Sequence, residues 1–409
     1  MSELAHKIAL DPTIEQARAF TSFGGCHRVV WNFALGCWWA WWCEYERSGR
    51  TIGKPNMPEM KRTFNDLRHE LFPWMNDPLA AHRDCWSQPF ADLERAFRNW
   101  LAGRADRPSF KSKHRSRLSF YVANDKLRFN GRRVHLPKIG WMRMRETLRF
   151  QGKMQGARVS QDATGSWSVA VQVEGDFARQ RTGDGVVGLD FGILHAITDS
   201  DGQTFDTPKP LAKAQRRLAR AQRVVARRVK GSNRRHRAVA CVGRIHAHVK
   251  NIRNDFIHKT TTSILRENQA VGIEDLNVKG MLSNQHLARA LSDVALGEMR
   301  RQIEYKAPLY ETAVVIADRW FPSSKLCSNC GCKKDKLGLS QRAFVCEACG
   351  FVLDRDVNAA LNLKSLVGRA TAEPSLDNPA TTRVESHPGS WKRELNKDRA
   401  TSNGSFVQA

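Results

Sequence analysis

Four cysteines carry the most specific chemistry in this chain. Cys327 and Cys330 form one C-x2-C pair and Cys346 and Cys349 a second, with fifteen residues between the pairs. Two such knuckles, each presenting two thiolates, have the spacing of a zinc ribbon and would hold one tetrahedral Zn²⁺. Gly331 and Gly350 follow the pairs, at turns that often need a positive φ. Cys332 is an alternative to Cys330, but its use would break the symmetry of the knuckles. Four protein ligands leave no open position, so this ion is expected to shape a loop rather than react.

Carboxylates form the second set. Asp190 closes the apolar run GVVGLD, Glu274 closes AVGIE, and Asp356 lies in DRDVNAA at what reads as a helix start. Two acids at strand ends and one at a helix start make the pattern of an RNase H-like site. Such a site needs acids because two Mg²⁺ ions, roughly 3.5–4 Å apart, must be held against phosphate oxygens. Hard Mg²⁺ prefers carboxylate oxygen to nitrogen or thiolate. The plainer use of an Asp in the DRD run is helix capping. Asp190-Phe191-Gly192 matches the kinase magnesium motif in letters only, since neither a Gly-rich loop nor an HRD loop accompanies it.

These residues need elements to position them. The 409-residue chain is long enough for two or three domains. Residues 5–10 predict a strand, and a helical block follows from about Thr13 to Leu101. Within it Val29, Trp31, Phe33, Leu35, Trp38, Trp41 and Trp42 crowd one helix, as core residues or as rings on which bases stack. The basic stretch 104–117 reads as a loop that tracks phosphates. Strands are expected at 118–122, 126–129, 133–136, 147–151, 157–161 and 167–173, with hairpin chemistry at Asn130-Gly131 and Thr164-Gly165-Ser166. Together with 5–10 they predict a small antiparallel barrel. A second domain opens at Gly185, with buried strands ending at Asp190, Glu274 and Ala317.

Residues 211–253 hold fourteen Lys/Arg and no Asp or Glu, and they read as a helical hairpin turning at 231–233. One sign of charge over that length favours a phosphate backbone as neighbour, with Arg216, Arg217, Arg220 and Arg227 as the contacts. A formal charge of +25 points the same way. No apolar run is long enough to span a membrane, and a cytoplasmic location is expected. Beyond about 368 the composition predicts a disordered tail.

Several blocks also resemble a known family. GLDFGI (188–193), GIEDLNVKGM (272–281), LSDVALGEMRRQIEYKA (291–307), FPSSKLCSNCG (321–331) and FVLDRDVNAALN (351–362) are similar to the successive motifs of TnpB (OrfB), the transposon-encoded RNA-guided RuvC-type nucleases related to type V CRISPR effectors. RVVWNFAL (28–35) and RVHLPKIGW (133–141) resemble the family's early motifs. The likeness implies a multidomain α+β chain. Residues 1–12 and 103–183 would form a wedge-like β-barrel and 13–102 a helical recognition insert. An RNase H-like (RuvC) domain would take 184–325 and 351–368 with the hairpin 211–253, a zinc ribbon 326–350, and the tail 369–409. It further implies a guide RNA, a double-stranded DNA target beside a short motif, and Asp190, Glu274 and Asp356 in the catalytic positions with Asp354 as their neighbour. The sequence does not fix the oligomeric state, and a monomer is expected. A guide-directed DNA-binding regulator that no longer cuts and a strand-transfer transposase are the alternatives.

Overall fold

The computed structural model describes residues 2–77, 80–113, 116–338, 341–372 and 382–383. Two compact units emerge, residues 1–177 with 216–248, and residues 178–215 with 249–409.

The first unit begins with β1 (Ser2–Asp11), α1 (Ile14–Arg47), α2 (Met57–Leu71) and α3 (Arg83–Leu101). Thr13 starts α1 with a capping box, its side chain accepting from Gln16 N–H while the Gln16 side chain returns to Thr13 N–H. The aromatic crowd of α1 serves the core. Trp31 is buried and donates Nε1–H to the Ser109 carbonyl at 3.0 Å. Trp38 stacks on Phe97 and Trp42, with ring centroids 4.1 and 5.2 Å apart. The basic loop that follows turns several cations inward rather than toward a phosphate track. Arg107 lies 3.7 Å over Trp39, Lys111 lies 3.7 Å over Trp31, and Arg117 donates to the Gln161 carbonyl. Residues 114–115 of that loop lie outside the described residues.

β2 (Ser119–Ala123), β3 (Arg128–Asn130), β4 (Arg133–Leu136), β5 (Gly140–Met144), β6 (Lys153–Gln161) and β7 (Trp167–Gly175) join β1 in one antiparallel sheet, ordered β2-β6-β7-β1-β5-β4-β3. Among the described residues β2 and β3 do not pair with each other, so the expected barrel is a sheet with two edges. The strand expected at 147–151 is a loop, because Arg149 N–H is taken by the His6 side chain at 3.2 Å and not by a neighbouring strand. The pairing goes instead to β5, which the positive φ of Lys138 and Gly140 folds back onto β4.

α4 (Pro210–Ala226) and α5 (Asn233–Glu267) form the basic hairpin, with Gly231 at positive φ in its turn. α5 continues well past residue 253. Residues 216–248 group with the first unit, whereas the sequence reading put the whole hairpin with residues 184–325. The physical reason is a close approach: a Cβ on Gly243 would stand 2.9 Å from the Ala163 carbonyl oxygen.

The second unit is built on a sheet of β8 (Gly185–Asp190), β9 (Ile197–Asp199), β10 (Thr204–Phe205), β11 (Asn268–Glu274) and β12 (Ala313–Ala317). β10, β9 and β8 run as an antiparallel meander, and β8, β11 and β12 are parallel. The helices α6 (Val278–Leu282), α7 (Ala288–Val294) and α8 (Leu296–Lys306) connect β11 to β12. β13 (Ala343–Val345) and β14 (Val352–Asp354) form a separate hairpin, and α9 (Arg355–Ala372) follows. Val187, Leu189, Val271 and Ile273 from the sheet and Ala359, Ala360, Leu363 and Val367 from α9 are all buried. The tail expected from 369 is corrected at its start, since α9 runs to Ala372, and β15 (Thr382–Arg383) pairs in parallel with β12. Residues 373–381 and 384–409 lie outside the described residues. No described helix is long and apolar enough to cross a membrane.

Candidate active site and metal centre

The acids are positioned by a glycine repeat. Gly188-Leu189-Asp190 and Gly272-Ile273-Glu274 lie in parallel register, Gly188 opposite Gly272 and Leu189 opposite Ile273. Alternation along a strand puts each acid on the same face as the glycine two residues before it. That face carries α9. A Cβ on Gly188 would stand 1.9 Å from the Ala360 carbonyl oxygen, and one on Gly272 would stand 2.6 Å from that of Leu363. The missing side chains let the helix backbone rest on the strands, and its first turn delivers Asp356 to the strand ends.

Asp190, Glu274 and Asp356 thus line one cleft of 530 Å³, together with Ser323, Arg342 and Arg355. Burial pushes the Asp190 carboxyl well above its ordinary range. The charges of Glu274 and Asp356 add to that shift, and Arg355 opposes it. Burial also raises Glu274, partly offset by the Ser323 hydroxyl donating to its Oε1. Asp356 Oδ1 accepts from Arg355 Nη2 and Nε at 3.0 and 3.1 Å, and Arg342 stands 3.9 Å from Oδ2. Neighbouring acids face elsewhere. Asp275 pairs with Arg300 and with Arg319 (3.3 Å). Asp354 Oδ1 accepts the backbone N–H groups of Asp356 and Val357 at 2.9 and 3.2 Å, which makes it the cap of α9.

The donors are all carboxylates, Glu274 and Asp356 disfavour the charge of Asp190, and they face a cleft. That set suits a hard divalent cation. They do not form a single tight cage. Among the described residues only Cys327, Cys330, Cys346 and Cys349 bring three or more ligand atoms within 4.8 Å of one another. In that group Cys327 Sγ is 3.7 Å from Cys349 Sγ, and Cys330 Sγ is 3.6 Å from Cys346 Sγ. Zn–S bonds of about 2.3 Å in a tetrahedron require sulfurs about 3.8 Å apart. Gly331 and Gly350, both at positive φ, donate to the Cys327 and Cys346 carbonyls and close the two knuckles. Cys332 lies outside the group, and its carbonyl accepts from Cys327 N–H.

The four-cysteine cluster and the cleft are tied together by two asparagines. Asn358 Oδ1 accepts from Ser328 N–H at 3.0 Å, while its Nδ2 donates to the Leu326 carbonyl at 2.6 Å. Asn362 Nδ2 donates to the Ser323 and Leu326 carbonyls at 2.7 and 2.8 Å. Both are buried on α9. They fix the loop that carries Ser323 at one end and the first knuckle at the other. The sequence reading missed Ser323, Arg342, Asn358, Asn362 and the two glycines. The G-x-acid repeat was a visible signal for the glycines, and the i, i+4 asparagines share one helix face.

The basic candidates belong to the first unit, not to the unit that holds the cleft. Arg216, Arg217, Arg220 and Arg227 are all exposed, and none has an ion-pair partner among the described residues. Half-buried positions recur at Leu211, Ala214, Leu218, Ala221 and Val225, spaced by three and four residues, so the arginines occupy the rest of the helix surface.

An acid-tipped α/β sheet, a helix packed on its glycines and a pair of knuckles bearing four thiols define a mixed α/β class. The solved structure titled "Cryo-EM structure of the Cas12f1-sgRNA-target DNA complex" shares this fold, with a TM-score of 0.53 over 86% of this chain and 83% of that one, at 11% identity. A Streptomyces pristinaespiralis protein named "Putative RNA-guided DNA endonuclease" is 36% identical over 97% of both chains. The Escherichia coli K12 protein named "Putative RNA-guided DNA endonuclease InsQ" is 31% identical over 88% of this chain and 91% of its own. A family profile described as "Probable transposase" (OrfB type) matches residues 166–285, "Cas12f1-like, TNB domain" matches 297–363, and "Helix-turn-helix domain" matches 1–47. Here residues 1–47 contain β1 and the single uninterrupted helix α1. The chain belongs to the TnpB (OrfB) family.

Proposed function

We propose that this protein is an RNA-guided endonuclease that hydrolyses phosphodiester bonds of double-stranded DNA beside a short motif. The observation that carries the reading is the convergence of Asp190, Glu274 and Asp356 on one cleft, in a chain whose full-length relatives bear that name. The three carboxylates would hold Mg²⁺, which when bound polarises the phosphate and lowers the pKa of a coordinated water. The chain's own residues prepare the site. Ser323 orients Glu274 through its hydroxyl, and Arg355 fixes the Asp356 carboxylate. Arg342 adds positive charge at the same wall, where a phosphate would approach. The meander-then-parallel strand order supports an RNase H-like (RuvC) reading of the second unit. In the same reading Zn²⁺ on the four cysteines is structural. The β1–β7 sheet acts as the wedge, α1–α3 as the recognition insert, and the exposed arginines of the hairpin contact guide or target phosphates.

Purified protein with its co-purifying RNA, given guide-matched double-stranded DNA, should cut in Mg²⁺ and not in EDTA. Asp190→Ala, Glu274→Ala and Asp356→Ala should each lose cutting and keep guide-dependent binding, which rests on base pairing and backbone contacts. If all three variants cut like wild type, the assignment fails. Joining of transposon ends in place of hydrolysis would favour the transposase reading.

A further inference from the structure

A second cavity, of 750 Å³, shares Ile193, Leu194, Leu287 and Arg342 with the catalytic cleft. Its volume falls in the ~300–1,000 Å³ range of small-ligand sites. Leu194 and Leu287 are large apolar side chains left 49% and 43% exposed at the shared wall. The cavity is also lined by Thr207, which is 6% exposed and whose Oγ1 has no hydrogen-bond partner among the described residues. A buried hydroxyl left unpaired costs free energy unless a ligand or water supplies its partner. Lys209 and Arg289 supply positive charge at the rim. The N-terminus of α4 opens on the same cavity but is already filled, since Asp293 accepts from Leu211 and Ala212 N–H at 2.9 and 3.0 Å. A phosphate therefore has no helix end to occupy here. What fits is a flat, largely apolar group with one polar edge, attached to a charged backbone that continues into the cleft.

We infer that this cavity takes one nucleoside of the DNA strand being cut, flanking the phosphate held at Asp190, Glu274 and Asp356. This rests on the endonuclease reading above. The base lies against Leu194 and Leu287, the Thr207 hydroxyl bonds its edge or its sugar, and Arg342 meets the phosphate between the two cavities. A hydroxyl both donates and accepts, so the subsite holds any base and adds no sequence preference.

The test uses the guide-bound protein with guide-matched DNA in EDTA, the DNA carrying a single 2-aminopurine moved one position at a time. Beyond the change that strand separation produces along the guide-matched stretch, one position should respond with a further change on binding. Ala290→Trp, which fills the cavity, should abolish that change. Thr207→Val should weaken binding about three- to tenfold and Thr207→Ser should restore it, while one zinc per chain shows that each variant is folded. No responsive position, an unchanged response in Ala290→Trp, or a response only when the probe is in the RNA overturns the subsite. Parallel reactions in Mg²⁺ separate the two claims: a responsive position with no cutting by wild type sinks the endonuclease reading and leaves the nucleotide site standing.

Discussion

Asp354 spends one oxygen on two backbone N–H groups of α9, while Asp356, two residues on, turns its carboxylate into the cleft beside Arg355. Removing the first removes a cap; removing the second, on the proposed function, removes one of the three carboxylates that would hold Mg²⁺. Asp354→Ala should cost about 0.5–2 kcal/mol of stability and leave guide-directed cutting within a few-fold of wild type. Asp356→Ala should melt near wild type and not cut. Denaturant titration beside a cleavage assay separates them, and the reverse pattern would exchange their roles. Lys306 tests electrostatics away from the cleft. Its ammonium is buried and donates to the His258 carbonyl, Thr261 Oγ1 and Thr262 Oγ1 at 2.8–3.0 Å. Burial first, then Arg179 and Arg301, lowers its pKa to about 8. A base whose folded pKa lies below its unfolded value of about 10.4 penalises folding fully below pH 8, and the penalty fades as pH rises toward 10. The stability of wild type relative to Lys306→Met should therefore climb between pH 8 and 10, by up to about 1 kcal/mol per pH unit. A flat difference across that window would show the ammonium is not desolvated in solution.

At the scale of elements, α9 does the assembling. It lies on Gly188 and Gly272, caps itself with Asp354, offers Asp356, and grips the ribbon loop through Asn358 and Asn362. Gly188→Ala must push the helix off the strand, since the added methyl would lie 1.9 Å from a backbone oxygen that has no rotamer to escape into. A loss of at least 1–3 kcal/mol is expected from such overpacking, along with weaker cutting, measured by denaturation and cleavage on one preparation. Wild-type stability in that variant would mean the contact is looser than described. The same helix links the four-cysteine cluster to the cleft. Cys346→Ser with Cys349→Ser should lose the single zinc by elemental analysis and reduce cutting more than guide binding, because the loop holding Ser323 loses its far anchor. Much of this was legible in sequence. Asp190 and Glu274 end apolar runs, and the cysteine spacing is local, so both could be read without a fold. The asparagines' shared helix face was visible, but their partners and that of Ser323 could not be read, because each lies 30 to 50 residues away. Strand 147–151 was misread for a related reason: its apolar pattern suits a strand, but the neighbour that would pair with it is occupied by β5 and β7.

Across the whole molecule the governing quantity is a formal charge of +25. Such an excess repels itself in the folded chain and is stabilised by a polyanion. The inward cations of the 104–117 loop show that basic residues in sequence are not all available to one, since Arg107 and Lys111 are committed to tryptophan faces. The hairpin is different, with Arg216, Arg217, Arg220 and Arg227 exposed on a surface that carries no acid between residues 211 and 253. If they meet phosphates, binding releases counterions, and each lost contact lowers the slope of log K against log salt by about 0.7–0.9. Replacing all four by Gln should flatten the slope by about 3 and weaken binding most at low salt. Cutting at saturating DNA should persist, since the cleft residues are untouched. Filter binding across a salt series reads the slope directly. A variant with wild-type slope would return the hairpin to a solvated charged surface and move the search for the nucleic-acid track to other exposed cations.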